Sequence, residues 1–126
     1  ASCHATDIFT DNSFRNNGLP INPSINDKGR YRVTELDIDK YKFKVPSLRN
    51  IEKTAPYMHD GRFYTLEAVL NHYASGVSNT QNLDASLNNA GTLGIPLTAT
   101  EKLQLIAFLK TLTDNEFLTN PRFAEF

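Results

Sequence analysis

With 126 residues and a formal net charge of −1, the chain has the length of one domain with a moderate core, and it lacks the basic footprint of a nucleic-acid or anionic-membrane binder. No stretch approaches the roughly 18 consecutive apolar residues of a spanning helix. A single cysteine excludes an internal disulfide, so disulfide usage says nothing of redox compartment.

The chain opens Ala1-Ser2-Cys3-His4, which matches the last four residues of a C-x-x-C-H haem-attachment site. In such a site two thiols bond the haem vinyl groups and the adjoining histidine ligates iron. The first cysteine would stand immediately before Ala1, so the chain is expected to be part of something longer. If the motif holds, a helix over Ser2–Phe9 should carry it. Asn16-Asn17-Gly18-Leu19-Pro20 and Asn22-Pro23 follow as turn chemistry. Tyr41, Phe43 and Val45 alternate with Lys40, Lys42 and Lys44, an extended segment with one apolar face that ends at Pro46. Arg30-Tyr31-Arg32-Val33 is the expected partner strand of a small hairpin.

Thr65 to Ala74 reads as a helix, with Thr65 as N-cap, Leu66, Val69, Leu70 and Tyr73 on one face, and Ser75-Gly76 as terminator. A polar connection through Asn79, Asn82, Asn88 and Asn89 leads toward Pro96. Thr98-Ala99-Thr100-Glu101 is a capping box. It opens a helix to about Thr113, where Leu105, Leu109 and Leu112 recur at helical spacing and the apolar face should be mostly core. Loops this long in one domain call for an organiser other than helix packing, and a bound cofactor would serve.

Several blocks in order carry a family resemblance: Phe9-Thr10-Asp11, Phe14, Asn16-Asn17-Gly18, Phe43 to Asn50, Thr54 to Phe63, Thr65-Leu66-Glu67, and Leu97-Thr98 to Thr113. The string resembles the C-terminal half of the bacterial di-haem cytochrome c peroxidases and their MauG-like relatives. The resemblance implies an all-α, cytochrome c-like helical domain over residues 1–126, with long loops and at most one short β-hairpin. It further implies haem c, an N-terminal haem domain in the same parent where hydrogen peroxide is reduced, and an electron-donor protein. The present chain would be the electron-transferring half, with periplasmic location. Whether it forms a homodimer stays open.

Cys3 and His4 are then the attachment residue and proximal iron ligand. His4 should bind through Nε2 while its other ring nitrogen is held by a backbone carbonyl. Met58, His59, His72 and Tyr73 are the distal candidates. The position fourteen residues beyond His59, where the peroxidases typically supply methionine and MauG-like proteins tyrosine, is Tyr73, and the resemblance favours it over Met58. A thioether would favour ferrous iron and a high potential. A phenolate would favour oxidised iron, and the metal would have to pull down an ordinary tyrosine pKa of about 10. On residue chemistry alone, Tyr73 reads first as a core tyrosine on an apolar helix face, with a satisfied hydroxyl. His72, about a hundred degrees round the helix, reads as a surface residue.

His59-Asp60-Gly61 is either a tight turn or a turn that also places His59 at the haem edge, with Asp60 and Arg62 near the propionates. Arg49 is the preferred propionate partner, because a guanidinium meets a carboxylate in bidentate fashion. The resemblance also implies that backbone carbonyls of Thr54 and Pro56 contribute to a calcium ion between domains, although two neutral carbonyls are a weak site alone. With one thiol, at most one thioether can form, and material made in a cytoplasm is expected to be haem-free. The competing classes are a pure electron-transfer module without peroxide chemistry and a haem-free interaction domain. Arg62, Lys53 and the Asn79–Asn89 loop are candidate interface residues.

Overall fold

The computed structural model describes residues 3–124. Helices carry most of the regular structure: α1 (Tyr31–Thr34), α2 (Leu66–Asn71), α3 (Ala99–Thr111) and α4 (Asn115–Thr119). Two antiparallel ribbons accompany them, β1 (Phe14–Arg15) with β2 (Phe43–Lys44), and β3 (Asn88–Asn89) with β4 (Thr92–Leu93). The structure is therefore less purely helical than expected.

The strongest local signals behave as anticipated. The Thr65 hydroxyl accepts from Ala68 N–H at 3.1 Å and starts α2. At α3, Thr98 Oγ1 accepts from Glu101 N–H at 3.2 Å while the Glu101 carboxylate accepts from Thr98 N–H at 2.7 Å, a reciprocal box that satisfies two otherwise orphaned amides. α3 ends at Thr111, and Asp114 caps α4 by accepting from Phe117 N–H at 2.9 Å.

Three expectations are corrected. The 30–33 segment is not a strand: Gly29, at φ +60°, lies against Lys42, and Arg30 N–H donates to the Lys42 carbonyl at 2.9 Å. The chain then turns and winds into α1, which Glu35 closes in the left-handed region at φ 57°. The partner of Phe43–Lys44 is instead Phe14–Arg15, registered Phe14 with Lys44 and Arg15 with Phe43. Nor does the start of the chain form a helix: residues 3–9 run through turns, with Phe9 at φ 53° bonding its N–H to the Thr6 carbonyl. Ser2 lies outside the described residues.

The third correction concerns α3, which was expected to be mostly core and contributes no buried residue. Leu103 is 69% exposed and Phe108 47%. The core sits elsewhere, in Leu19, Val45, Tyr57, Leu66, Leu70, Val77 and Leu87, with the buried polar residues Thr10, Asn16 and His72 among them. Polar links tie α3 and the residues after it to the rest of the chain: Lys102 Nζ to Asn71 Oδ1 at 2.7 Å, Asn50 N–H to the Leu112 carbonyl at 2.9 Å, and Asp114 N–H to Asn50 Oδ1 at 2.7 Å. Phe108 adds an edge-on contact with Phe9, centroids 6.1 Å apart.

Candidate functional site

The N-terminal segment carrying Cys3 and His4 is pinned by the Val45–Arg49 block. Thr10 Oγ1 donates to the Val45 carbonyl at 2.6 Å, Ser47 Oγ to Ile8 at 2.6 Å, and Arg49 Nη2 to Asp7 at 3.1 Å. Asp11 N–H donates to the Cys3 carbonyl at 3.0 Å. His4 Nδ1 lies 2.8 Å from the Phe9 carbonyl oxygen, so it carries the proton and donates. That bond sets the tautomer and leaves Nε2 with its lone pair as the ring atom able to bind a metal.

Tyr73 follows α2 directly, inside a π-helical turn over His72–Gly76. A π turn breaks the i−4 ladder and turns the side chains within it away from the regular helical stripe. The Tyr73 carbonyl is taken up by Ile95 N–H at 2.7 Å. That approach requires Gly94, at φ +84°, since a Cβ there would stand 2.6 Å from the Tyr73 oxygen. Tyr73 is half-buried, and burial pushes its phenol up, with the Asn17 side chain acting the other way.

His72 is buried, at 5% exposure, which corrects its reading as a surface residue. Its Nε2 pairs with the Asn17 backbone carbonyl at 3.0 Å, and burial lowers its pKa against the pull of that bond. Its ring is held inward by the Asn17 carbonyl and sits beside Tyr73, ring centroids 5.3 Å apart. Met58, at φ 74°, receives a hydrogen bond to Sδ from Asn17 Nδ2 at 3.2 Å. Two of the four distal candidates, His72 and Met58, thus bond Asn17, which in sequence is turn chemistry and part of a block that carries the family resemblance. The Asn-Asn-Gly run was the available signal, without anything to mark which asparagine faces inward.

His59 stands apart, stacked on Phe43 with centroids 3.7 Å apart and planes 7° from parallel. Burial lowers its pKa while Asp60 and Asp27 draw it back up. Asp60 is held by Arg62 Nε at 2.8 Å, which lowers its carboxyl, and Arg62 Nη2 reaches the Pro20 carbonyl at 3.0 Å. Arg49 is exposed, and Thr54 and Pro56 are exposed on the segment before Tyr57. Among the described residues no cluster of three or more His, Cys, Asp or Glu side chains could hold a metal ion.

The donor set suits haem. A thiol and an imidazole adjoin at Cys3-His4, the imidazole has the tautomer that presents Nε2, and α3 leaves Leu105 37% and Phe108 47% exposed, apolar surface of the kind a flat macrocycle covers.

Comparisons with known proteins define the class. No protein-family model matches the chain. The methylamine utilization protein MauG of Methylorubrum extorquens is 37% identical over 112 residues, covering 89% of this chain and 30% of that protein. The cytochrome c551 peroxidase of Nitrosomonas europaea is 33% identical over 116 residues, covering 90% and 30%. The chain belongs to the family of MauG proteins and di-haem cytochrome c peroxidases, which are oxidoreductases. Within it, the likeness to MauG extends to structure: a MauG-like protein associated with microbial copper homeostasis superposes with a TM-score of 0.77 at 36% identity, over 98% of this chain and 45% of that one. A di-haem peroxidase from Burkholderia thailandensis, at 22% identity and TM-score 0.69, shares the fold over 93% of the chain and 38% of its own. The chain spans about a third of the length of the curated relatives it matches.

Proposed function

We propose that this chain is the C-terminal, electron-transferring haem c domain of a MauG-like di-haem peroxidase, with a cytochrome c-like fold. Cys3 supplies a thioether, His4 Nε2 the proximal ligand and Tyr73 the distal one. The observation that carries the reading is the His4 Nδ1 to Phe9 carbonyl bond of 2.8 Å, which presets the imidazole for ligation through Nε2. When bound, haem c supplies a one-electron iron couple. The chain's own part is to orient two ligands, to present apolar surface on α3, and to hold Met58 away from ligation through the Asn17 amide at its sulfur.

A tyrosine in place of methionine favours the oxidised metal, which suits a domain that shares oxidising equivalents with a second haem in the same parent rather than one that only relays electrons. Peroxide chemistry belongs to that N-terminal haem domain, and electrons come from a separate donor protein. Periplasmic location follows from covalent haem attachment outside the cytoplasm. Arg49 serves a propionate, and the carbonyls of Thr54 and Pro56 give a calcium ion part of a shell that the other domain completes.

The test is an optical and electron paramagnetic resonance spectrum of the haem-loaded parent protein, comparing wild type with Tyr73→Phe. The expected result is loss of the low-spin six-coordinate signal. An unchanged spectrum returns Tyr73 to a packing role and rejects tyrosine ligation.

A further inference from the structure

Two tertiary hydrogen bonds flank Tyr73 along the chain. Immediately before it, the buried His72 imidazole reaches the Asn17 backbone carbonyl through Nε2 at 3.0 Å, and at Tyr73 itself the carbonyl accepts from Ile95 N–H at 2.7 Å. A carbonyl oxygen can only accept, so Nε2 of His72 carries the proton and donates. The His72 backbone N–H bonds the Ala68 and Val69 carbonyls at the end of α2. The residue therefore joins the helix through its main chain and the 16–18 loop through its ring.

The far end of that strut is itself tied down. Asn16 is buried at 3% exposure, with Nδ2 donating to Thr80 Oγ1 at 3.0 Å and to the Gln81 carbonyl at 2.8 Å, while Oδ1 accepts from Gly18 N–H at 2.9 Å. The Gly18 carbonyl accepts from Ser78 N–H at 2.8 Å. Asn17 thus lies between two residues that both bond the 78–81 segment. The imidazole has little freedom in its slot: Phe63 stands 5.8 Å away and Tyr73 5.3 Å away between ring centroids, and a Cβ on Gly76 would come within 3.3 Å of Nδ1.

A π turn departs from the regular α-helical ladder, so bonds from outside the helix carry more of the burden of fixing a side chain within it. Groups that hold a ligand without touching the metal set where its donor atom lies. We propose that His72 is the positioning residue for the distal haem ligand: its Nε2–H bond to the Asn17 carbonyl holds the π turn that presents Tyr73 to iron. This rests on the reading of Tyr73 as distal ligand. Breaking the bond leaves Tyr73 anchored on one side only.

The experiment uses the haem-loaded parent protein with His72→Gln, His72→Asn, Leu70→Ala and Tyr73→Phe made separately. A glutamine amide nitrogen falls near the place of Nε2 and keeps the donor, whereas the shorter asparagine places its amide near Nδ1 and loses the bond. His72→Phe keeps a ring without a donor and decides the matter should the asparagine variant not fold. Leu70→Ala loosens the buried face of α2 without touching the strut. Ferric electron paramagnetic resonance and the urea unfolding midpoint are read on each. The expected result is that Tyr73→Phe abolishes the low-spin signal, His72→Asn shifts its g values and converts part of it to high spin, and His72→Gln keeps the parental spectrum. Leu70→Ala lowers the urea midpoint at parental g values. If His72→Asn lowers the urea midpoint but keeps the parental spectrum, or if Leu70→Ala alters the spectrum as much, the positioning role is overturned and tyrosine ligation stands. If Tyr73→Phe changes nothing, ligation and positioning fall together.

Discussion

The α2 region and the α3 region carry comparable apolar signals in sequence and meet opposite fates. Around α2, Leu66 and Leu70 are buried against a frame of loops that close on one another: Asn16 to 80–81, Gly18 to 78, Thr10 to Val45. α3 is longer and better capped, yet none of its residues is buried, and α4 and the turn beyond it leave Phe117, Leu118 and Phe123 between 45% and 61% exposed. The first region is completed by its own chain. The second presents apolar surface of the kind that a cofactor or another domain covers, consistent with a chain that spans about a third of its relatives.

Substitutions can break or sharpen that contrast. The largest effect is expected for Gly94→Ala, which places a Cβ 2.6 Å from the Tyr73 carbonyl at φ +84°. A loss of about 4 kcal/mol by urea unfolding is expected, because the approached atom is backbone and cannot rotate away. Next, Leu70→Ala should cost about 3 kcal/mol as a buried truncation, whereas Leu103→Ala should cost less than about 0.5 kcal/mol. Equal losses at both positions would show that α3 is as well packed as α2 and would abolish the contrast. Thr98→Ala should cost about 1 kcal/mol through the lost cap, since α3 depends more on its ends than on burial.

The smallest effect is one of pH, and it probes the self-closed region. Arg15 bridges Asp11 Oδ2 and Asp84 Oδ2, each at 2.8 Å. The hydrogen bonds of Ser13, with Arg15 beside them, hold Asp11 well below the usual carboxylate range. For Asp84, burial acts upward but is outweighed by hydrogen bonds from Ser86 and Arg15. Both carboxyls are depressed on folding, so their stabilisation is present in full above the ordinary value of 3.8 and is lost as pH falls below it. With side chains 15–30% exposed, the pair with Asp84 is worth about 1 kcal/mol. Asp84→Asn should flatten the acid limb of a stability–pH curve, and an unaltered limb would remove the clamp from the account.

What local chemistry could dictate, the sequence by itself determined. The Thr65 cap and the Thr98–Glu101 box are built from residues within three positions of one another, and they set where α2 and α3 begin. The Cys3-His4 dipeptide and the ordered blocks from Phe9 to Thr113 were likewise legible, and the family relationship agrees with them. The partner of Phe43–Lys44 was not legible, because pairing across 28 or more residues depends on how Gly29 and Lys42 turn the intervening chain. Nor was the π turn, whose Tyr73 carbonyl accepts from Ile95 N–H, brought close by a glycine over twenty positions away. The burial of His72 likewise depends on a distant residue, since its ring is tied to the Asn17 carbonyl. Asn17 acquired its partners in the same way, from Met58 and His72, 41 and 55 positions distant, which only the closed tertiary frame brings within hydrogen-bond reach.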